Sequence, residues 1–387
     1  MKNVNSYIHI ATTNQCTGCS ACASICPTKS ITMIEDKEGF MQPHIDADTC
    51  IKCHKCEKTC PIVSPISIPT DFETQAYAAI NKDEAVRMRS SSGGMFYALA
   101  KWTIEQDGVV FGARFDENWE VVHDYTETIE GIEPFMRSKY VQSWIGETYK
   151  QAKEFLKAGR QVLFVGTPCQ IGGLHAYLGK GYENLILVDF VCHGLPSPGV
   201  WRDYLKWKVK GDKIVDINFR DKRDGWLYYQ CVTTTTTTTT TRESKMDNIF
   251  FKGFLNDVYL RPSCYSCSFK LSHRISDITI ADFWGIESID PNMFDDKGTS
   301  LMLIHSNRGF HCFKSSIQDS CIIKKYSIED GIKYNPSMVS SVNIPRRRKT
   351  FFMAYSLFGF RMARYYIDRD IILVQIIRKI RKILKLQ

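Results

Sequence analysis

Eight cysteines near the N-terminus fall into two runs, CTGCSACASICP from Cys16 and CIKCHKCEKTCP from Cys50, with every cysteine and the closing proline at the same offsets. Both read C-x2-C-x2-C-x3-C-P, a spacing suited to 4Fe-4S chemistry. Three thiolates two residues apart wrap around one side of a cubane while the backbone amides between them point toward its sulfides. The fourth cysteine sits too far round to close the same cluster and crosses to the other. Cys16, Cys19, Cys22 and Cys60 are therefore expected to hold one cluster, and Cys50, Cys53, Cys56 and Cys26 the second. Pro27 and Pro61 then turn the chain away. Zinc also accepts four thiolates. Its sites usually present two separated C-x2-C pairs, whereas here three cysteines follow in unbroken succession, twice. Such a module carries electrons and performs no substrate chemistry alone.

The elements that must position these thiols are short. SITMIED, the turn KEG and FMQPHID read as a β-hairpin between the runs, which fits a small two-cluster ferredoxin-like α+β domain over residues 1–64. IVSPISIPTDFET, rich in proline, reads as a linker centred on 65–75. From residue 76 to about 210, apolar strand-like runs alternate with helical periodicity. QAYAAIN, GVVFGARF, QVLFVG and LILVDFVC read as strands; GMFYALAKWTIEQ, ETYKQAKEFLKAG and PCQIGGLHAYLG read as helices. The alternation predicts an α/β body. Residues 211–340 form its strand-rich C-terminal extension, and 341–387 a basic amphipathic tail.

The chain has 387 residues, 15 of them cysteine, with 44% hydrophobic and 24% charged residues, an ordinary globular composition with room for two or three cores. No signal-peptide pattern opens the sequence and no apolar run approaches the roughly 20 residues of a membrane span. A cytoplasmic location is expected, where thiols serve as ligands or apolar fillers and not as disulfides. The net charge of +8 is uneven: residues 341–387 hold twelve Lys or Arg against two Asp, which leaves the remainder slightly acidic. No nucleic-acid partner is expected.

Neither G-x-G-x-x-G after a strand nor a Walker loop occurs. Two turns could still cradle an anion with free backbone N–H groups, RSSSGGMF before one helix and FVGTPCQIGG at another. An ordinary capped helix start reads the same way.

Taken in order, RSSSGGMFYALA, GVVFGARFD, SKYVQS, VLFVGTPCQIGGL, VDFVCHGLPSP, RPSCYSCSFK and SDITIADFWGIE make the chain resemble the beta subunits of coenzyme F420-reducing hydrogenases and F420-linked dehydrogenases, together with 7-hydroxymethyl chlorophyll a reductase-like proteins. The resemblance spans roughly Cys16 to Glu287. It implies an iron–sulfur flavoprotein in which FAD exchanges a hydride with an organic partner and single electrons with clusters. It also implies a flavin near Ser91, Ser92, Gly93, Gly94, Ser138, Lys139, Gly166, Thr167 and Gln170. Lys139 would pair with a phosphate or with the reduced ring, and His193 would donate a proton; a solvated lysine and a structural histidine are the alternatives. Cys169, Cys192, Cys264 and Cys267 lie inside the same motifs and supply four thiolates for a third 4Fe-4S cluster, against zinc or a mixture of structural and redox roles. Cys231, Cys312 and Cys321 read as free buried cysteines.

Thr233 to Thr241 is a threonine run with no apolar alternation, read as a hairpin or loop. Farther on, Leu373, Ile376, Ile377, Ile380, Ile383 and Leu384 share one helical face with Lys and Arg opposite, suited to a partner or to the inner face of an anionic membrane. The reading is of an oxidoreductase that takes electrons from ferredoxin or another redox protein, passes them through clusters and FAD, and exchanges a hydride with coenzyme F420 or a biosynthetic intermediate. The alternative is an electron-relay subunit without a substrate site.

Overall fold

The duplicated cysteine pattern produces a duplicated backbone. Gly18 and Lys52, 34 residues apart, both take left-handed φ (69° and 55°), and so do Ser20 and His54 (61° and 57°). Each pair leads into a one-turn helix, Ala21–Ile25 or Lys55–Thr59, that ends on an extended cysteine, Cys26 or Cys60. The hairpin between them pairs β1 (Ile31–Glu35) with β2 (Met41–Ile45), Ile31 opposite Ile45. The computed structural model describes residues 10–237, 240–317 and 319–367.

The body follows the predicted alternation. Its strands are β3 (Gln75–Asn81), β4 (Val109–Phe115), β5 (Val121–Thr126), β6 (Val162–Val165), β7 (Leu185–Phe190), β8 (Ile214–Asp221), β9 (Gln230–Thr235), β10 (Thr240–Ser244), β11 (Ile278–Asp282), β12 (Ser300–Ile304) and β13 (Cys321–Tyr326). One eight-stranded sheet runs β13-β3-β12-β11-β7-β6-β4-β5. Its centre, β4, β6, β7 and β11, is parallel; the flanking pairs are antiparallel. Parallel strands must be covered on both faces, and here they are. Leu163 and Val165 of β6 pack with the helices Met95–Glu105 and Asn307–Ile317, while Val162 and Phe164 pack with Thr148–Lys157 and Pro168–Leu178.

The stretches 76–210 and 211–340 thus share one sheet, since β11, β12 and β13 complete it. The strand-rich character of the second stretch also includes a separate antiparallel sheet, β10-β9-β8. The threonine run contributes to both strands of its outer hairpin, with Thr234 opposite Thr240 and Thr233 opposite Thr241.

A helix from Arg347 to Ala363 follows, bent at Gly359, where φ is 67° and ψ −176°. It buries Phe351, Phe352, Ala354, Phe360 and Ala363 against Tyr204, Phe250 and Tyr259. The expected amphipathic face from Leu373 to Leu384 lies outside the described residues. Among the described residues no helix is long and apolar enough to cross a membrane.

Among the ties between the ferredoxin-like region and the body, Arg261 makes the most hydrogen bonds to the cysteine loop and hairpin. Arg261, fully buried, donates through Nε to the Cys16 carbonyl (2.6 Å) and through Nη1 to Gln142 Oε1 (3.0 Å). Its Nη2 reaches the Met41 carbonyl (2.9 Å) and Gln42 Oε1 (3.1 Å). Gly18 makes this approach possible, because a Cβ there would lie 2.7 Å from Arg261 Nη1. Removing the guanidinium orphans several buried acceptors, each worth about 1–3 kcal/mol. Arg261→Met is therefore expected to lower the melting temperature and open the 65–75 segment to protease; unchanged melting and cleavage would refute its part in that tie.

Candidate functional site

A cavity of about 300 Å³ opens at the carboxyl ends of the parallel strands, where α/β sheets characteristically place ligands. Val165 of β6, Phe190 of β7 and Ile280 of β11 form its floor, with Phe135, Phe254 and Trp284 adding apolar wall. Ser91, Ser92, Gly94, Ser138, Lys139, Gly166, Thr167, Gln170 and His193 all line it. Residues scattered over a hundred positions are brought together here.

Gly93 is the exception. A Cβ at this position would stand 2.4 Å from the Ala79 carbonyl oxygen, and its N–H donates to Ser300 Oγ (2.9 Å). It lets the turn close onto β3 and does not line the cavity.

The two anion-binding turns part company. At the second, the Gly166 N–H is taken by the Val188 carbonyl (3.0 Å) and the Thr167 N–H by Gln170 Oε1 (3.0 Å), within a capping box. Those amides are already satisfied, so Gly166 and Thr167 contribute wall and not a cradle. At the first, Gly94 caps the helix Met95–Glu105 with left-handed φ (91°) and supplies no side-chain acceptor. Gly94, Met95 and Phe96 line the cavity at that helix start, where unpaired N–H groups favour an anion.

The polar lining is supported from behind. Ser91 Oγ accepts from Ser138 N–H (2.8 Å) and Oγ (2.9 Å), tying two lining loops together. Lys139 Nζ donates to the carbonyls of Pro134 (2.8 Å), Met136 (2.6 Å) and Arg137 (3.4 Å). Burial of the ammonium, aided by Arg137, pushes its pKa down to about 7. His193 Nε2 lies 2.6 Å from Asp257 Oδ1 and Nδ1 3.3 Å from Ser337 Oγ, so a carboxylate orients its ring.

Three further groups at or behind the cavity are not among the expected site residues. His123, buried, bridges Ser143 Oγ (2.9 Å) and the Val165 carbonyl (3.0 Å), and burial lowers its pKa to about 4. Asp282 takes a bidentate pair from Arg220 (2.6 and 3.1 Å) and the Trp226 indole N–H (2.8 Å). Lys222, beneath the Ser90–Gly94 turn, donates to the carbonyls of Arg87 and Ser92, both at 2.8 Å. His123 and Lys222 sit where a lone polar residue reads as surface and the sequence offers no signal for them, whereas Asp282 lies inside the SDITIADFWGIE motif and could have been found there.

A second, small pocket adjoins the cavity. Cys169, Cys192, Cys264 and Cys267 line it together, with Lys270 and Arg274. The segment Cys192–Leu195 is the wall that both spaces share. Burial pushes the Cys192 and Cys264 thiols up to about 12 and Cys169 higher still, so as thiols they stay neutral, and irons would have to ionise them. The cations beside them suit the negative charge of a thiolate-bound cluster. Sulfur partners are present too: Leu195 N–H donates to Cys264 Sγ (3.4 Å), and Thr167 Oγ1 lies 3.2 Å from Cys169 Sγ.

Cys16, Cys19, Cys22 and Cys60 line a third pocket, the quartet that the crossed pairing predicts. Thr17 belongs to both cysteine pockets. Of the second quartet, Cys56 is buried and packs with Cys26 and Cys50, while Cys53 is exposed. Among the described residues no three His, Cys, Asp or Glu side chains stand close enough to hold one metal ion; the fit of four-iron clusters rests on the shared pockets and the donor chemistry. Cys231, Cys312 and Cys321 are buried elsewhere and line none of these three spaces.

The helix Pro168–Leu178 joins the compartments. Thr167 and Gln170 face the cavity and Cys169 the second pocket, and one turn on, Gly173 lies against Cys19, where a Cβ would meet its Sγ at 3.0 Å.

Residues 159–329 match the family described as the C terminus of the coenzyme F420 hydrogenase/dehydrogenase beta subunit, and residues 15–63 match the 4Fe-4S dicluster domain. An uncharacterized protein of Methanocaldococcus jannaschii is 22% identical over 206 residues, 46% of this chain and 56% of the relative. An uncharacterized polyferredoxin-like protein of the same organism is 35% identical over 57 residues, 13% of this chain and 34% of the relative. The chain thus spans about half the length of one curated relative and a third of the other. Among solved structures, a chain of the F420-reducing NiFe hydrogenase complex from Methanosarcina barkeri aligns with a TM-score of 0.46 at 14% identity, over 70% of this chain and 90% of that one.

The depressed pKa of Lys139 has a testable sign. Between pH 7 and the ordinary lysine value of 10.5 the unfolded chain holds a proton that the folded chain has released, so this site adds stability as pH rises through that window. Lys139→Met orphans three carbonyls at every pH, so the melting-temperature difference between variant and wild type is expected to favour the variant most, or penalise it least, at or below pH 7 and to shift toward wild type as pH rises to about 10. A difference independent of pH would show that Lys139 titrates normally.

Proposed function

We propose that this chain, an iron–sulfur electron-transfer protein related to the beta subunits of coenzyme F420 hydrogenases and dehydrogenases, is an FAD-dependent oxidoreductase linking a one-electron carrier to an organic hydride donor or acceptor. The observation that carries this reading is the unbroken sequence of spaces. The exposed Cys53 region leads to the Cys16–Cys60 pocket, that pocket shares Thr17 with the Cys169–Cys267 pocket, and the latter shares the Cys192–Leu195 wall with the cavity. Three 4Fe-4S clusters held by these cysteine quartets would lead inward from the surface to the cavity.

The cavity supports a flavin by its chemistry. Its wall is mainly apolar with a few convergent polar groups, the usual character of a ring-binding site, and its volume falls at the lower end of the range of about 300–1,000 Å³ for ligand pockets. The uncapped helix start at Gly94–Phe96 would receive a phosphate, and Ser91, Ser92 and Ser138 would orient it. When bound, FAD converts between hydride transfer with an organic partner and single-electron transfer with clusters. Around it, Lys139 would hold or release a proton at Nζ near neutral pH, and His193, its ring oriented by Asp257, would serve as a proton donor at the boundary with the cysteine pocket. Phe135, Phe254 and Trp284 would exclude water. Coenzyme F420 or another reducible intermediate would enter through the open side.

Chain purified without oxygen is expected to carry about twelve irons, four for each cysteine quartet, and one FAD. Ser91→Leu should abolish flavin binding with iron retained. Cys169→Ser should remove about four irons. Full iron without flavin in the wild type would instead make this chain a relay that serves the chemistry of another protein.

A further inference from the structure

The helix Arg347–Ala363 is anchored on one side only. Phe351, Phe352, Phe360 and Ala363 hold its inner face in the core, and the Arg364 guanidinium, 5.0 Å from the Trp207 ring centre, fixes its end. That anchoring turns Met353, Leu357, Phe358 and Met362 outward. Leu357 and Phe358 are 67% and 66% exposed, among the highest values for large apolar side chains in the molecule. They stand just before the bend at Gly359. Large exposed apolar groups gathered on one element mark a contact surface, unlike single scattered ones.

The charged side chains of the segment itself have one sign. Residues 341–367 contain six Lys or Arg and no Asp or Glu. Arg348 is drawn inward to Glu38, but Arg346, Lys349 and Arg361 are exposed beside the apolar ridge. The twenty residues that follow add six Lys or Arg against two Asp, and half of them are aliphatic. Aliphatic and aromatic tips ringed by cations match the acyl boundary and headgroups of an anionic bilayer. The acidic side chains that contact this helix are already engaged, Glu38 by Arg348 and Asp203 by Tyr355, so the exposed cations of residues 341–367 have no acidic counterpart within their own segment.

We propose that the outer face of the Arg347–Ala363 helix docks this protein peripherally on an anionic lipid surface, with Leu357 and Phe358 entering the acyl boundary and the surrounding cations contacting headgroup phosphates. The reading is independent of the cofactor chemistry, since no residue of this face lines the cavity or a cysteine pocket.

The test is co-sedimentation of the full-length, cluster-loaded chain with phosphatidylcholine vesicles, with and without phosphatidylglycerol. Binding is expected only with phosphatidylglycerol and should weaken as salt is raised. The double variant Leu357→Glu/Phe358→Glu should bind about tenfold less or weaker still, the cost of carrying two charges into the boundary, with iron content and melting temperature unchanged. Should that variant misfold, Arg346→Glu/Lys349→Glu/Arg361→Glu, which alters only exposed side chains, is expected to abolish binding. Equal binding to both vesicle types, no binding at all, or wild-type binding by the folded variants would overturn the proposal. So would light scattering that shows a wild-type dimer converted to monomer by the double variant, because the ridge would then be covered by a second copy.

Discussion

The helix Pro168–Leu178 has to touch three spaces at once, and much of the architecture follows from that demand. Its first turn faces the cavity through Thr167 and Gln170, its second residue supplies Cys169, and Gly173 lies on Cys19. A side chain at 173 would push the ferredoxin-like region away and lengthen the gap between cysteine quartets. The helix can hold this place because β6 delivers it from the sheet centre and the capping box settles its first amides internally. Tyr149 reinforces it, donating to the Gln170 carbonyl at 2.7 Å.

That constraint explains the polar interior. Arg261, Gln142 and Thr17 sit where a hydrophobic interface would be simpler, yet the surfaces they join carry backbone carbonyls from the cysteine loops that need donors. Around the cavity the same logic recurs. Lys139 and Lys222 spend their ammonium groups on loop carbonyls, and Arg220 is spent on Asp282, so buried charge shapes the loops that define the space. Burial then depresses both lysines to about 7, so the groups that brace these loops change charge near neutral pH.

The cysteine quartets differ in exposure at one end only. Cys53 is exposed, whereas the Cys16 and Cys169 quartets each hold two buried and two half-buried cysteines. Hydrogen bonds to sulfur, local charge and solvent access set cluster potentials. Arg261 Nη2 lies 3.5 Å from Cys16 Sγ, and Lys270 and Arg274 line the pocket of the Cys169 quartet, so positive charge lies beside both of these quartets.

Local spacing was enough for whatever depends on neighbours in the chain. The C-x2-C-x2-C-x3-C-P repeat dictated paired one-turn helices and the crossed quartet, because thiolates two residues apart can meet only around one centre. Period-2 and period-3.6 patterns likewise marked β3, β4, β6 and β7 and the helices between them. Tertiary structure decided what depends on distant partners. It gave Gly93 a packing role, satisfied the amides at Gly166 and Thr167, drew His123 and Asp282 to the cavity, and set Lys222 behind its Ser90–Gly94 turn. It also completed one sheet from two halves of the chain and set Arg261 into the Cys16 loop. A polar residue in a strand looks the same whether its partner is water or a carbonyl two hundred positions away, and only the closed sheet chooses between them.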